Sequence, residues 1–350
     1  MKRKIELLLI VCLLIWLCSP LISMWLFWTL TIVGVMAILC LLSFLVANKF
    51  LTKTNWWLNQ YLATKQFVSG VGYREDLQRN YDIINLGSNP AHFAFFYEDV
   101  KGQSWATGSQ GQDMDFEILK YYHSYLKKGG TILIPIMPFT AISPYLKERP
   151  DCWGMAYYSK FAKILDHAQV QNLPWGWTLH RYLRFPLFFN KKAIRFLFKD
   201  VPKDERYEVA EQSMMQMELE FDASHWIKAW LAEFKLKHLL NVKDKCWVKY
   251  YEEAVSLNRQ MVDFCLERDL RPVFICVPMT QHLSKLFPKE FHQYMVTDFV
   301  KESNVHNVPF LDYTKDERFQ DDSFYFDSFF LNLRGRKLFT KQVLEDLDLM

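Results

Sequence analysis

The chain has 350 residues, of which 51% are hydrophobic and 17% aromatic, so it can bury the core of one large domain and carry an appendage. Its formal net charge of +3 is too small to indicate a nucleic-acid surface, and we predict no nucleic-acid partner. The seven cysteines lack metal-ligand or disulfide spacing, which favours free thiols in a reducing compartment.

The first 48 residues are the most hydrophobic part of the chain. A basic cluster at residues 2–4 opens it, and residues 5–47 then carry a single charged side chain, that of Glu6. An apolar run of this length is not expected in a soluble helix, so the segment is predicted to cross a membrane. We therefore predict a cell-membrane protein with membrane lipid as a partner.

A break at residues 19–20, Ser-Pro, leaves two topologies open. In the first, residues 5–22 and 24–47 form a transmembrane hairpin within residues 1–48, and flanking lysines hold both ends in the cytoplasm. In the second, only residues 24–47 span the membrane, and the soluble part is extracytoplasmic. We favour the hairpin, which places the soluble domain in the cytoplasm.

Residues 49–80 are predicted to be a membrane-proximal linker, and residues 81–350 to be a globular domain. In that domain, short apolar runs alternate with amphipathic segments. Strands are expected at residues 83–86, 131–137, 272–277 and 308–312, and helices at residues 113–128, 248–268, 288–303 and 332–347. This order predicts an α/β fold with a doubly wound parallel sheet.

Residues 152–245 interrupt this alternation and are predicted to be a helical insertion that covers one end of the sheet. Within it, residues 181–199 interleave lysine and arginine with phenylalanine and leucine. Such a segment suits the surface of an anionic bilayer. It equally suits a lid that packs its phenylalanines on the core and leaves its cations in solvent.

Ser88 is the first candidate for chemistry. The apolar run at residues 83–86 ends abruptly in Gly87, Ser88 and Asn89, as expected where a buried parallel strand reaches the carboxyl edge of its sheet. Ligands of open α/β sheets bind at that edge. The Ser88 hydroxyl is therefore a candidate nucleophile, which would need a base.

Three segments carry a family resemblance. They are Asn-Leu-Gly-Ser-Asn at residues 85–89, Trp-Ala-Thr-Gly-Ser-Gln at residues 105–110, and Phe-Asp-Ser-Phe-Phe-Leu-Asn at residues 326–332. In these segments the chain resembles the SGNH/GDSL hydrolase superfamily. Within it, the chain looks like the membrane-anchored branch that includes the D-alanine transfer protein and the alginate O-acetylation proteins.

The resemblance implies a flavodoxin-like sheet and a role for particular residues. Ser88 would be the nucleophile, and Asp327 would hold the aspartate position of the last motif. The residues implied in substrate binding are Gly87, Asn89, Gly108, Ser109 and Gln110.

The last motif departs from the family, because Phe330 stands where the catalytic histidine is expected. That histidine takes the serine proton and later returns it, which a phenylalanine cannot do. His92, four residues after Ser88, is a candidate replacement base, as is a histidine of the insertion. The competing interpretation of His92 is a helix-face residue.

No cofactor motif is present, and the nine histidines lack ligand spacing, so we predict neither a cofactor nor a metal. Asp113 and Asp115 are interpreted as first-turn helix acids that complement the helix dipole.

Two functions remain open. In the first, the chain is a degenerate, inactive or residual SGNH-like protein of surface-polysaccharide assembly, for a capsule or exopolysaccharide, that binds polymer, lipid-linked sugar or a partner enzyme. In the second, it is an active O-acyltransferase or esterase that uses Ser88 with a relocated base. A weaker third interpretation is a scaffold whose aromatic insertion docks on a membrane partner protein.

Overall fold

A computed structural model describes residues 10–14, 16, 24–57, 68–69, 72–73, 79–106, 110–148, 185–189, 191–200 and 214–350. The chain divides into two compact units. The first contains residues 1–57 and 185–201, and the second contains residues 58–184 and 202–350.

Helix α1, Met24–Leu51, dominates the first unit and agrees with the second predicted span. With a mean hydropathy of 2.8, it is the one helix among the described residues that is long and apolar enough to cross a membrane. Its 28 residues extend about 42 Å, which exceeds a hydrocarbon core of about 30 Å. Residues 10–14 and 16 are also helical, but most of the first predicted span lies outside the described residues. The hairpin therefore stays a prediction.

Two described parts of the predicted insertion also belong to the first unit. They are the short helix Pro186–Phe189 and the 3₁₀ helix Lys191–Leu197. Both contact the end of α1, where the Asn48 side-chain oxygen accepts a hydrogen bond from the Leu187 N–H at 2.9 Å.

The second unit is built on parallel strands. A small antiparallel pair, β1 (Val68–Ser69) and β2 (Gly72–Tyr73), precedes them. The main sheet contains β3 (Tyr81–Asn85), β4 (Gly102–Ser104), β5 (Leu126–Pro135), β6 (Arg271–Cys276) and β7 (Phe310–Asp312). Its order is β4-β3-β5-β6-β7, and all neighbouring strands are parallel. The predicted α/β class with a parallel sheet is confirmed.

Four longer helices accompany this sheet: α2 (Gln112–Tyr122), α3 (Gln216–Glu233), α4 (Lys245–Leu266) and α5 (Leu333–Asp346). Shorter helical segments are Asn89–His92, His123–Tyr125, Thr140–Glu148, Leu239–Lys243, Gln281–Ser284, Lys289–His292, Phe299–Ser303, Glu317–Phe319 and Asp322–Phe324, with a π-helical turn at Gln293–Asp298.

Alternate strand residues fill two cores, because successive side chains of a strand point to opposite faces. Ile83 and Leu133 join the apolar side chains of α5 in one core. Ile84 and Ile132 join those of α2 and α4 in the other. Burial on both faces explains why the strands read as continuous apolar runs.

Some predicted boundaries were wrong. The helix expected at residues 113–128 ends at Tyr122, and residues 126–128 already belong to β5, which starts five residues before the predicted strand. The register of β5 against β3 shifts between Tyr81 and Ile83. Strand β4 was not predicted, since three residues of sequence Gly-Gln-Ser carry no apolar signal.

Candidate functional site

A cleft with a volume of about 190 Å³ lies at the carboxyl ends of β3 and β5. Residues 87–90 follow β3 and form one side of it, and residues 137–140 follow β5 and form another. Helix α3 contributes Trp226 and Trp230. These two tryptophans lie in the predicted insertion, and the described part of that insertion contains no strand.

The turn after β3 requires glycine. The φ of Gly87 is +106°, in a region that side chains other than glycine rarely adopt. A Cβ at Gly87 would lie 2.9 Å from the Pro135 Cγ, so the space is also closed. Ser88 follows with an extended backbone and caps the helix Asn89–His92 without a side-chain capping bond. This strand, turn and helix sequence brings Ser88 to the cleft.

Asp115 was missed as a cleft residue. It does occupy the first turn of α2, but its side chain is buried under the Gly87 turn. Its Oδ1 accepts hydrogen bonds from the Gly87 N–H at 2.8 Å and from the Gln110 side-chain amide at 2.5 Å. Burial raises the pKa of Asp115 to about 7. The predicted first-turn position of Asp115 is confirmed, and its burial in the cleft is a feature that the sequence did not predict.

Asp113 behaves differently from its neighbour. Its carboxylate lies 3.7 Å from the Lys147 ammonium, and it does not line the cleft. One acid of the pair thus remains a helix-end charge, while the other belongs to the cleft. No local sequence signal separates them, because burial depends on what packs over each position.

Several predicted binding residues do come together. Gly87, Asn89 and Gln110 line the cleft with Ser88. Gln110 is fixed by the bond to Asp115 and by a second one from its amide to the Trp105 carbonyl at 3.3 Å. Gly108 and Ser109 lie outside the described residues.

The last motif forms an aromatic wall. Phe330 lines the cleft with Ser88, and its ring centroid lies 5.0 Å from that of Phe93 and 5.4 Å from that of Trp226. Phe329 stacks on it at 5.5 Å. An aromatic hydrocarbon therefore occupies the position where the resemblance implies a proton-transferring imidazole.

Asp327 does not line the cleft. It borders an adjoining pocket with Asn89 and Phe330. Its Oδ1 accepts hydrogen bonds from the N–H groups of Phe329 and Phe330 at 2.8 and 2.7 Å. Burial raises the pKa of Asp327 to about 6. In this arrangement, Asp327 holds the backbone of its own loop.

His92 also lies outside the cleft lining. Its Nδ1 donates to the Ala106 carbonyl at 3.1 Å, and its ring packs against Phe93 with centroids 4.9 Å apart. Burial and the neighbouring Arg336 lower the pKa of His92 to about 4, which makes the ring a weak base.

The insertion supplies no histidine to the cleft within the described residues. His225 and His238 are exposed and do not line it, while residues 167 and 180 lie outside the described ranges. Indeed, no histidine of any described segment is among the lining residues. The assignment of a base thus stays a prediction.

A metal site finds no support in the part of the chain that the structure describes, where His, Cys, Asp and Glu form no cluster of three or more suited to an ion. The cleft instead combines aromatic rings with amide, hydroxyl and carboxyl groups. Comparison with protein-family models and with curated proteins finds no match to this chain, so the site must be interpreted from its own geometry.

Proposed function

We propose that this chain is a membrane-anchored SGNH-like protein of surface-polysaccharide assembly. Its cleft would bind a sugar unit of a polymer or of a lipid-linked precursor without turning it over. The observation that carries the proposal is Phe330, which lines the cleft beside Ser88 within a group of packed aromatic rings.

The strand order supports the fold implied by the resemblance. In chain order, the five parallel strands are arranged 2-1-3-4-5, as in doubly wound flavodoxin-like sheets. In such sheets the ligand binds where the strand order reverses, between the first and third strands. Here these strands are β3 and β5, and the cleft lies at their carboxyl ends.

The chemistry of the lining suits a sugar. A sugar ring has an apolar face, which packs on aromatic rings such as Trp226, Trp230 and Phe330. Its hydroxyl groups need hydrogen-bond partners. Gln112 Oε1 and Ser143 Oγ line the cleft, are buried, and have no such partner among the described residues. A ligand hydroxyl would satisfy them and remove the cost of leaving them unpaired.

The volume limits the size of the bound group. Sites for drug-sized ligands measure roughly 300–1,000 Å³. The cleft has about 190 Å³, which suits one ring rather than a long stretch of polymer. We therefore expect recognition of a single residue, with the remainder of a chain left outside.

No histidine of the described residues lines the cleft, which argues against turnover by a serine triad. Removing the base of a serine triad typically costs about 10⁴- to 10⁶-fold in turnover. Since Phe330 cannot transfer a proton, the Ser88 hydroxyl would serve as a hydrogen-bonding group. A partner enzyme could then act on the bound sugar.

A glycan array probed with the full chain in detergent micelles tests this proposal. We expect binding to a limited set of glycans, and a loss of about tenfold or more in affinity for Trp226→Ala. Tyr121→Ala removes an exposed aromatic side chain outside the cleft and is the matched control, which should bind normally. A chain that binds no glycan, or a Trp226→Ala variant that binds as well as wild type, would contradict the proposal.

One observation favours a second function, an O-acyltransferase or esterase. The Asp115 carboxyl lines the same cleft as Ser88, and a pKa of about 7 is suited to proton transfer at neutral pH. In this alternative, the Ser88 oxygen would attack the acyl carbon of an ester donor, its proton would pass to the Asp115 carboxylate, and the donor's alcohol would leave with that proton. The acyl-enzyme would then transfer its acyl group to a sugar hydroxyl, and Ser88 would regain a proton. Turnover of a chromogenic acetate ester that is lost in Ser88→Ala would favour it.

A further inference from the structure

Helix α1 is joined to a distant part of the chain at the point where its apolar sequence ends. The Asp200 carboxylate accepts hydrogen bonds from the N–H groups of Asn55 and Trp56, at 2.6 and 3.1 Å. The Trp56 ring stacks on Phe196, with centroids 4.9 Å apart. Together with the hydrogen bond between Asn48 and Leu187, these contacts fix residues 185–189 and 191–200 against the C-terminal end of α1 and the residues that follow it.

This junction has a basic surface. Its cations come from the end of α1 and from the attached segment, and all of them are exposed. We define the basic collar as Lys49, Lys53, Lys191, Lys192, Arg195 and Lys199.

The attached segment is also amphipathic. Ala193 and Phe196 are buried, and Phe196 stacks on Trp56, which follows the C-terminal end of α1 by five residues. Ile194 and Phe198, by contrast, are 49% and 87% exposed. A short segment with exposed apolar side chains between cations is typical of chains that lie in a membrane interface.

The position of the basic collar along α1 favours a segment that lies on the bilayer surface over a lid that packs on the core. From Met24 to Asn48 the helix has no charged residue, so the hydrocarbon would end close to Lys49. The contacts with Asn48, Asn55 and Trp56 hold the attached segment at that same level. The basic side chains and the Phe198 ring would thus lie at the headgroups.

We propose that the basic collar and Phe198 bind anionic lipid headgroups of the leaflet in which α1 ends. A basic side chain near an anionic surface contributes about fivefold to binding. In the predicted hairpin topology, the positive-inside rule makes this leaflet the cytoplasmic one. The inference requires α1 to cross the membrane, and it is independent of what the cleft binds.

Native mass spectrometry of the full chain in non-ionic detergent tests the proposal. Phosphatidylglycerol and phosphatidylcholine are added at equal concentration, and the bound copies of each are counted. We expect phosphatidylglycerol to be preferred by about tenfold or more, and the preference to fall to about twofold when Lys53, Lys191, Arg195 and Lys199 are all changed to Gln.

A matched control changes four exposed lysines of the second unit to Gln: Lys237, Lys285, Lys289 and Lys301. It has the same net charge as the collar variant and should keep the wild-type preference. Equal binding of the two lipids by wild type would overturn the proposal. An equal loss of preference in both variants would also overturn it, since it would show an effect of net charge alone.

Discussion

The two sides of the cleft differ in the chemical groups that they present to it. After β3, the Gly87 turn delivers Ser88 to the cleft and is held by a buried carboxyl, that of Asp115. On the side formed by the last motif, Phe330 presents a ring to the cleft, whereas Asp327 lies outside the lining and accepts hydrogen bonds from its own loop. The comparison teaches that the turn after β3 presents a hydroxyl group to the cleft, whereas the last motif presents a ring that cannot transfer a proton.

The largest expected effect is on the pH dependence of the free energy of unfolding, and it comes from the buried Asp115 carboxyl. Its folded-state pKa is about 7, whereas an ordinary aspartate has a value of 3.8. Folding therefore disfavours the charged form. The free energy of unfolding should fall as pH rises from about 4 to about 7, by about 4 kcal/mol at most.

Asp115→Asn keeps an acceptor for the Gly87 and Gln110 donors but cannot ionise. It should be as stable as wild type near pH 4 and more stable, by about 2 to 4 kcal/mol, near pH 8. Chemical denaturation of the full chain in detergent at several pH values measures this. Asp113→Asn, two residues earlier, is the control and should keep the wild-type pH dependence. An unchanged pH dependence in Asp115→Asn would show that this carboxyl ionises normally.

Substitution of Gly87, in the turn after β3, should have the second-largest effect on the free energy of unfolding. Gly87→Ala forces a side chain into a positive φ and against Pro135, and we expect a loss of about 3 kcal/mol in the free energy of unfolding. Gly129 has a φ of +74°, and the position that its Cβ would take has no neighbour within 4 Å, so it isolates the backbone cost. Gly129→Ala should lose only about 1 kcal/mol. Equal losses of stability in the two variants would mean that Pro135 can move aside at little cost in free energy.

Substitution in the aromatic part of the cleft should change glycan affinity more than the free energy of unfolding. Trp226 is only partly buried, and its ring contacts Phe329 and Phe330. Phe330→Leu keeps an apolar side chain but removes the ring face, so glycan affinity should fall by about fivefold. Intrinsic tryptophan fluorescence of the full chain during glycan titration measures the change. Undiminished affinity would show that the ring of Phe330 does not contact the sugar.

The sequence predicted those features that depend on short segments. The apolar runs gave the central strands, and Gly-Ser-Asn after the first of them indicated the carboxyl edge at which Ser88 lies. Strand β4 escaped prediction because an edge strand of three polar or small residues is held by its backbone pairing with β3. The burial of Asp115 and the attachment of residues 185–189 and 191–200 to α1 are tertiary contacts across 28 and more than 130 residues, which no local pattern encodes.

Labelling of the full chain with a serine-reactive fluorophosphonate tests most directly the proposal that Ser88 is not an active nucleophile. Because Phe330 cannot transfer a proton, we expect that the Ser88 hydroxyl is not activated and that wild type labels no faster than Ser88→Ala. An active serine hydrolase in the same detergent confirms that the probe works. Rapid labelling of wild type that disappears in Ser88→Ala would contradict the account.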